Sequence, residues 1–251
     1  MNTRLPLLPF VLAAGITTAA AQSTDLLVRA QERYAQADYA GALAAYDSVA
    51  TTHRSAALLF NIGNCHMKLD EVPKAILYYE RAIRLQPGAE DIQANLDHAR
   101  SLVVDRVNEL PAFSLGSLWD RLRGGKDVDQ WARRSLWLCL ITFLIAAVAL
   151  LVRSGLQRRL LIGTAALGAA ATITATAFAA HRVNEVRDRS EAIIMQPKVD
   201  VLGEPRKGST TLFVLHEGTK VTVLQEQNGW YEVKLGNGSV GWAGPEALVI
   251  I

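Results

Sequence analysis

The side chains able to act as nucleophiles, general bases or metal ligands are few in this 251-residue chain, and they are far apart. The five histidines, His53, His66, His98, His181 and His216, fall in different segments, and no His-Glu-x-x-His pair places two ligands on one helix face. Cys65 and Cys139 stand alone, without the Cys-x-x-Cys spacing of a redox or metal site, and read as small buried hydrophobes. Gly163–Gly168 lie in an apolar run with no Lys-Ser/Thr after them, so they do not form a phosphate loop. The acidic pairs Asp70-Glu71 and Glu90-Asp91 fall at helix starts or turns, where they complement the helix dipole. An enzyme needs a nucleophile with its base, a metal cluster or a phosphate cradle. None is spelled out, so the expectation is a non-enzymatic protein without cofactor or metal.

Half of the residues are hydrophobic and only 20% are charged, which is too apolar for one ordinary soluble domain. Two uncharged runs explain the excess, residues 136–152 and 160–180, separated by a short basic loop over 153–159. Their lengths, 17 and 21 residues, suit two membrane-crossing helices in a hairpin with both ends on one side. The N-terminus carries one basic residue, Arg4, an apolar stretch and an Ala-x-Ala site ending at Ala21, the pattern of a cleavable secretory signal over residues 1–21. Positive charge alone leaves the orientation open, since Arg153, Arg158 and Arg159 in the loop are balanced by Arg121, Arg123, Lys126, Arg133 and Arg134 outside it. The signal resolves it. Both flanking regions are expected to be exported, giving a two-pass protein of the bacterial inner membrane with its soluble domains periplasmic. Residues 111–188 carry 10 basic and 5 acidic side chains, so the basic surplus lies beside the lipid rather than on a face suited to nucleic acid.

Between Ser55 and Pro87, Gly63, Ala75, Tyr79, Ala82 and Pro87 hold the spacing of a 34-residue tetratricopeptide repeat. Gly63 and Ala75 let two helices cross closely, Tyr79 fills the groove between them, and Pro87 stops the second. A shift of 33 residues lays Ala42 on Ala75 and Tyr46 on Tyr79, giving a degenerate first repeat over Thr24–Arg54, while Glu90–Val104 reads as a capping helix. This all-α solenoid spans residues 22–108, followed by a linker over 109–135. Its concave face would present Leu27, Gln31 and Tyr34 from the first repeat and Phe60, Asn64, Met67 and Lys68 from the second, for contact with a partner or for plain packing.

From residue 181 a linker leads to a segment of period two. Asn228-Gly229 and Asn237-Gly238 separate the alternating runs Val221–Gln225, Trp230–Leu235 and Ser239–Ala243, the mark of a three-stranded meander. Short strands near Ile193–Gln196 and Thr211–Leu215 are expected to close a small all-β barrel. The string from Leu215-His216-Glu217-Gly218-Thr219 through Gly229-Trp230 to Gly238-Ser239-Val240-Gly241-Trp242 resembles bacterial SH3-like domains, which are binding modules of envelope proteins. Trp230, Tyr231 and Trp242 are its candidate binding aromatics, or else its core.

The order of parts makes a multidomain membrane protein: signal, repeats, transmembrane hairpin, SH3-like barrel. With Leu-His-Glu-Gly-Thr-Lys-Val in the last part, it resembles the BatE-like proteins of the bacterial aerotolerance operon. The resemblance implies a scaffold or adaptor in an envelope complex linked to oxygen or stress tolerance. The partners it implies include von Willebrand factor A-type membrane proteins and a MoxR-type ATPase. It supplies no catalytic residues. The alternative is a peptidoglycan-binding protein that recruits a wall enzyme.

Overall fold

The computed structural model describes residues 24–105, 129–187 and 190–251. The expected signal segment and most of the expected linker over 109–135 lie outside the described residues.

The first unit is helical. Residues 24–35 form α1, followed by α2 (Tyr39–Ala50), α3 (Ala56–Lys68), α4 (Val72–Leu85) and α5 (Glu90–Ser101). Local chemistry sets their ends. The Asp38 carboxylate accepts the Gly41 N–H at 2.9 Å at the start of α2, and the Ser55 hydroxyl accepts the Leu58 N–H at 3.2 Å at the start of α3. Pro73 stands in the first turn of α4, where a missing N–H costs nothing. In α5, Glu90 and Asp91 lie in the first turn and His98 and Arg100 in the last, matching the helix dipole at both ends. A Cβ at Gly63 would lie 2.6 Å from the Tyr79 ring, so α3 and α4 can only cross this closely with glycine there. Two cores result. Ala30, Ala42, Tyr46, Val49, Leu58, Ile62 and Cys65 join the first repeat to α3, and Leu59, Ala75, Ile76, Tyr79, Ala82, Ile92 and Leu96 join α3, α4 and α5.

The second unit is a pair of long helices, α6 (Gln130–Leu151) and α7 (Gly155–Arg187). Both exceed the apolar runs 136–152 and 160–180, so the connection shrinks from the expected 153–159 to residues 152–154. Each is long and apolar enough to cross a membrane. The less exposed positions repeat every three to four residues: Leu138, Thr142, Ile145 and Ala149 on α6, and Leu161, Ala165, Gly168, Thr172 and Ala175 on α7. That spacing makes a coiled-coil-like seam. Gly168 packs against Thr142 along it, and Trp131 meets Phe178 edge-on at 4.9 Å. Away from the seam, Leu136, Phe143, Leu150 and Leu167 are each at least 70% exposed, an apolar surface suited to lipid rather than water.

The third unit is a seven-stranded sheet of β1 (Glu191–Ile194), β2 (Lys198–Leu202), β3 (Thr211–His216), β4 (Lys220–Gln227), β5 (Trp230–Lys234), β6 (Val240–Ala243) and β7 (Leu248–Ile250), in the order β3-β2-β6-β5-β4-β1-β7. The expected meander is present, but the closed barrel is not. β3 and β7 end the sheet unpaired with each other, so the strand-rich domain is SH3-like without closure. The edge at β7 is covered instead by the repeats: Arg81 of α4 donates to the Ile250 carbonyl at 2.8 Å and Arg84 to that of Ile251 at 3.1 Å. Covering an edge with side-chain donors blocks further pairing. Asn228 and Gly229 both have positive φ, 53° and 78°, as a tight hairpin turn requires. At the other Asn-Gly pair only Gly238 does so; the Asn237 side chain accepts the Ser239 N–H at 3.0 Å instead.

Candidate functional site

Two surfaces hold the residues singled out by sequence, and a third lies between the units. Of the repeat residues expected on a concave face, Gln31 and Lys68 are exposed, and Leu27, Tyr34, Phe60, Asn64 and Met67 are half-buried. Leu27 and Tyr34 lean on the core of the first repeat, while Phe60 and Met67 lean on the core of the second. The Asn64 carbonyl accepts from the Tyr79 hydroxyl at 2.7 Å and from the Asn95 amide at 2.9 Å, so one side-chain amide ties α3, α4 and α5 together. Burial raises the Tyr79 pKa, which keeps the hydroxyl a donor. Asn95 belongs to this surface although sequence reasoning did not single it out. The signal was its place opposite Asn64 once the capping helix is stacked.

In the sheet, Trp242 is 8% exposed and paired across from Leu202 and Glu232, which places it in the interior. Tyr231 is half-buried against the core of the sheet. Trp230 is half-buried too, and its ring lies 3.5 Å from where a Cβ on Gly244 would stand. The three aromatics therefore do not form one stacked platform.

The third surface was not legible in the sequence. The sheet docks on α4 and α5, and the contact has an apolar centre and a charged margin. Ile193 and Ile251 are buried in the same cluster as Ile76, Leu77 and Leu96, with Val103 and Met195 packed around them. A Cβ at Gly218 would lie 2.7 Å from Val103 and 3.3 Å from Ile76, so the β3–β4 turn needs glycine to approach the helices. Its φ of +84° requires glycine as well.

Beside this contact the Glu80 carboxylate, with a side chain only 5% exposed, bonds Arg100 on one oxygen and Lys220 of β4 at 3.1 Å on the other. Glu191 of β1 pairs with Lys220 at 2.9 Å and with Arg84 at 2.9 Å. Burial would raise the Glu191 pKa, but Lys220 and then Arg84 hold it below the ordinary range. Asp105, just past the capping helix, accepts from the His216 N–H, the His216 ring at 2.8 Å and the Thr219 hydroxyl at 2.8 Å. Burial opposes ionisation there too, and those hydrogen bonds outweigh it, so the carboxyl pKa is lowered. The one sequence signal was Glu80, an acid one helical turn beyond Ile76 on a buried stripe.

Of the remaining titratable groups, Cys65 is fully buried, and burial together with the Asp47 charge pushes its thiol up to about 11. His66 is buried against Glu71 at 2.6 Å and stacks on Tyr78.

The first and third units match known families. Residues 27–90 match a tetratricopeptide repeat model, and residues 198–248 match a bacterial SH3 domain model. The chain therefore carries tetratricopeptide repeats and a bacterial SH3 domain, joined by two apolar helices. No curated protein matches it at a significant level. Both kinds of domain fit recognition of proteins or peptidoglycan.

Proposed function

We propose that the chain is a non-enzymatic adaptor of the bacterial inner membrane, anchored by α6 and α7, that holds partner proteins in the groove of its repeats. The observation that carries this reading is the division of surfaces. The SH3 domain packs on α4 and α5, while Gln31 and Lys68 stay exposed and Tyr34, Phe60, Asn64 and Met67 half-buried; we read these six as one groove face. The concave face of such repeats suits an extended or helical peptide.

The docking supports placing the repeats and the SH3 domain on one side of the bilayer, since a shared core cannot form across it. The signal-like N-terminus supports taking that side as the periplasm. The resemblance to BatE-like proteins makes an envelope complex linked to oxygen or stress tolerance the setting, with von Willebrand factor A-type membrane proteins and a MoxR-type ATPase as first candidates.

The test is cross-linked affinity purification of the full chain from detergent-solubilised membranes. Recovery of membrane proteins, lost on the paired exchange Phe60→Ala with Lys68→Glu, supports the adaptor. Unchanged recovery with that variant removes the groove from the reading.

A second reading, peptidoglycan binding, is favoured by the bacterial SH3 match and by the partly accessible Trp230. It expects the full chain to bind purified sacculi and Trp230→Ala to abolish that binding.

A further inference from the structure

A cleft of about 730 Å³ opens where the repeats meet the sheet. Its volume and its place between two domains are those of ligand sites. The floor is apolar, with Leu77 of α4, Met195 after β1 and Val249 of β7. Around it stand the carboxylates of Asp47, Asp70, Glu71 and Glu217 and two cations, Lys74 and Arg81. Both cations are engaged. Lys74 pairs with Glu71 at 2.8 Å, and Arg81 donates to the Ile250 carbonyl at 2.8 Å with its Cζ 5.5 Å from the centre of the Tyr78 ring. The side chains of Asp47, Asp70 and Glu217 make no hydrogen bond or ion pair with any described residue.

A buried imidazole adds an acceptor to these acids. The side chain of His66 is only 7% exposed, yet it lines the cleft. Its Nδ1 lies 2.6 Å from a Glu71 oxygen, and hydrogen bonds from Lys74 and then His66 hold Glu71 ionised, below the ordinary carboxylate range. A carboxylate only accepts, so Nδ1 carries the proton and Nε2 of the neutral ring keeps a free lone pair. That Nε2 has no hydrogen-bond partner among the described residues. Asp47 stands near enough to act on the same ring: burial raises its pKa, and His66 opposes the rise. A buried acceptor left unpaired and a partly desolvated carboxylate left without a counter-charge are both unfavourable, and one ligand cation answers both.

We propose that this cleft binds a lysine side chain of a partner polypeptide, its ammonium held by the Asp47 carboxylate and the His66 Nε2, with an apolar neighbour on Leu77, Met195 and Val249. The acceptors belong to two different side chains, which suits the diverging donors of an ammonium better than the planar fork of a guanidinium. A metal ion does not fit, since no three metal-ligating side chains come together among the described residues and the floor is apolar. None of the cleft residues belongs to the groove face or to the Trp230 region, so the site stands or falls apart from both readings of function.

The experiment titrates the full chain in detergent with N-acetyl-Val-Lys-Val amide and with the same peptide acetylated on its lysine, by calorimetry. The free lysine is expected to bind about tenfold more tightly than the acetylated one, and to weaken with added salt. Asp47→Asn is expected to weaken it about fivefold without moving the thermal midpoint, because Asp47 holds no other group in place. His66→Phe, which keeps a ring beside Tyr78 but removes Nε2, should weaken it as well. Equal binding of the two peptides, no binding of either, or an Asp47→Asn chain that binds as before overturns the proposal. So does loss of binding on the paired exchange Phe60→Ala with Lys68→Glu but not on Asp47→Asn, which would assign the peptide to the repeat groove. Binding of calcium through Asp47 with no response to the peptide would assign the acids to a metal ion and overturns it too.

Discussion

If the SH3 domain and the repeats share a core, a cavity cut into the sheet must loosen the helices. Ile193 tests this, because it belongs to β1 of the sheet yet is fully buried among Ile76, Leu96 and Ile251. Ile193→Ala removes three carbon atoms from a site walled on the far side by α4. Truncations of this kind cost about 2–5 kcal/mol, and the middle of that range, about 3.5 kcal/mol, is taken for this fully buried site. At about 1.4 kcal/mol per decade, that is a roughly 300-fold rise in the opening equilibrium. Native-state hydrogen exchange of the full chain in detergent reads it directly. Peptides covering β1 and β4 should lose two to three decades of protection, and the peptide covering Val72–Leu85 should lose nearly as much. If α4 keeps its protection while β1 loses it, the two units open independently and the shared core is refuted.

Three other perturbations probe particular contacts. Gly63→Ala places a methyl group 2.6 Å from the Tyr79 ring, and this overpacking should cost about 1–3 kcal/mol, seen as a lower thermal midpoint. Cys65, with its thiol pushed up to about 11, should resist a maleimide reagent at pH 8 until denaturant is added; rapid labelling of the folded chain would show that α3 is not packed in this way. Asp105 and Glu191 both have pKa values lowered by folding, so the stability they contribute is present above the unfolded carboxylate range and is lost as pH falls through their folded values. A thermal midpoint followed from pH 7 to pH 3 should therefore drop steeply below about pH 4. Asp105→Asn should lower the midpoint at pH 7 and flatten the drop.

What the sequence revealed and what it concealed follow from distance along the chain. Gly63, Ala75, Tyr79 and Ala82 meet within one helix pair, so their spacing is itself the contact. Asn228-Gly229 is legible for the same reason, since the turn it makes is local. β2 was missed because Lys198–Leu202 is only five residues long and is bracketed by Pro197, Gly203 and Pro205, which read as a loop. β7 has three residues, too few for an alternation. The lengths of α6 and α7 were underestimated because hydropathy reports what lipid requires, whereas a backbone ladder continues through Gln157, Arg158 and Arg159 as readily as through leucine. Asp105 and His216 meet across 111 positions and Glu80 and Lys220 across 140, and no local pattern encodes either pair. The missing barrel closure has the same origin, since the edge of β7 is answered by arginines from a helix far earlier in the chain.

The docking also changes how an adaptor of this kind would work. Two modules on independent tethers strengthen each other by effective concentration, and the gain depends on linker length. A repeat solenoid and an SH3 domain with a common core have no such freedom. A ligand on either presents the other in a fixed geometry, so the spacing between two bound partners is set by the protein rather than averaged over a linker. The long apolar helices share in this rigidity. α7 runs for 33 residues, about 50 Å, which exceeds the hydrocarbon core by several turns. Near its end Arg182 donates to the carbonyl of Arg84 at 3.1 Å, at the last turn of α4. α7 is thereby tied to the same helix that carries Glu80 and Arg81. Any shift of α4 on partner binding is then felt by the sheet and by α7 together, because the three meet on one helix rather than along a chain of linkers.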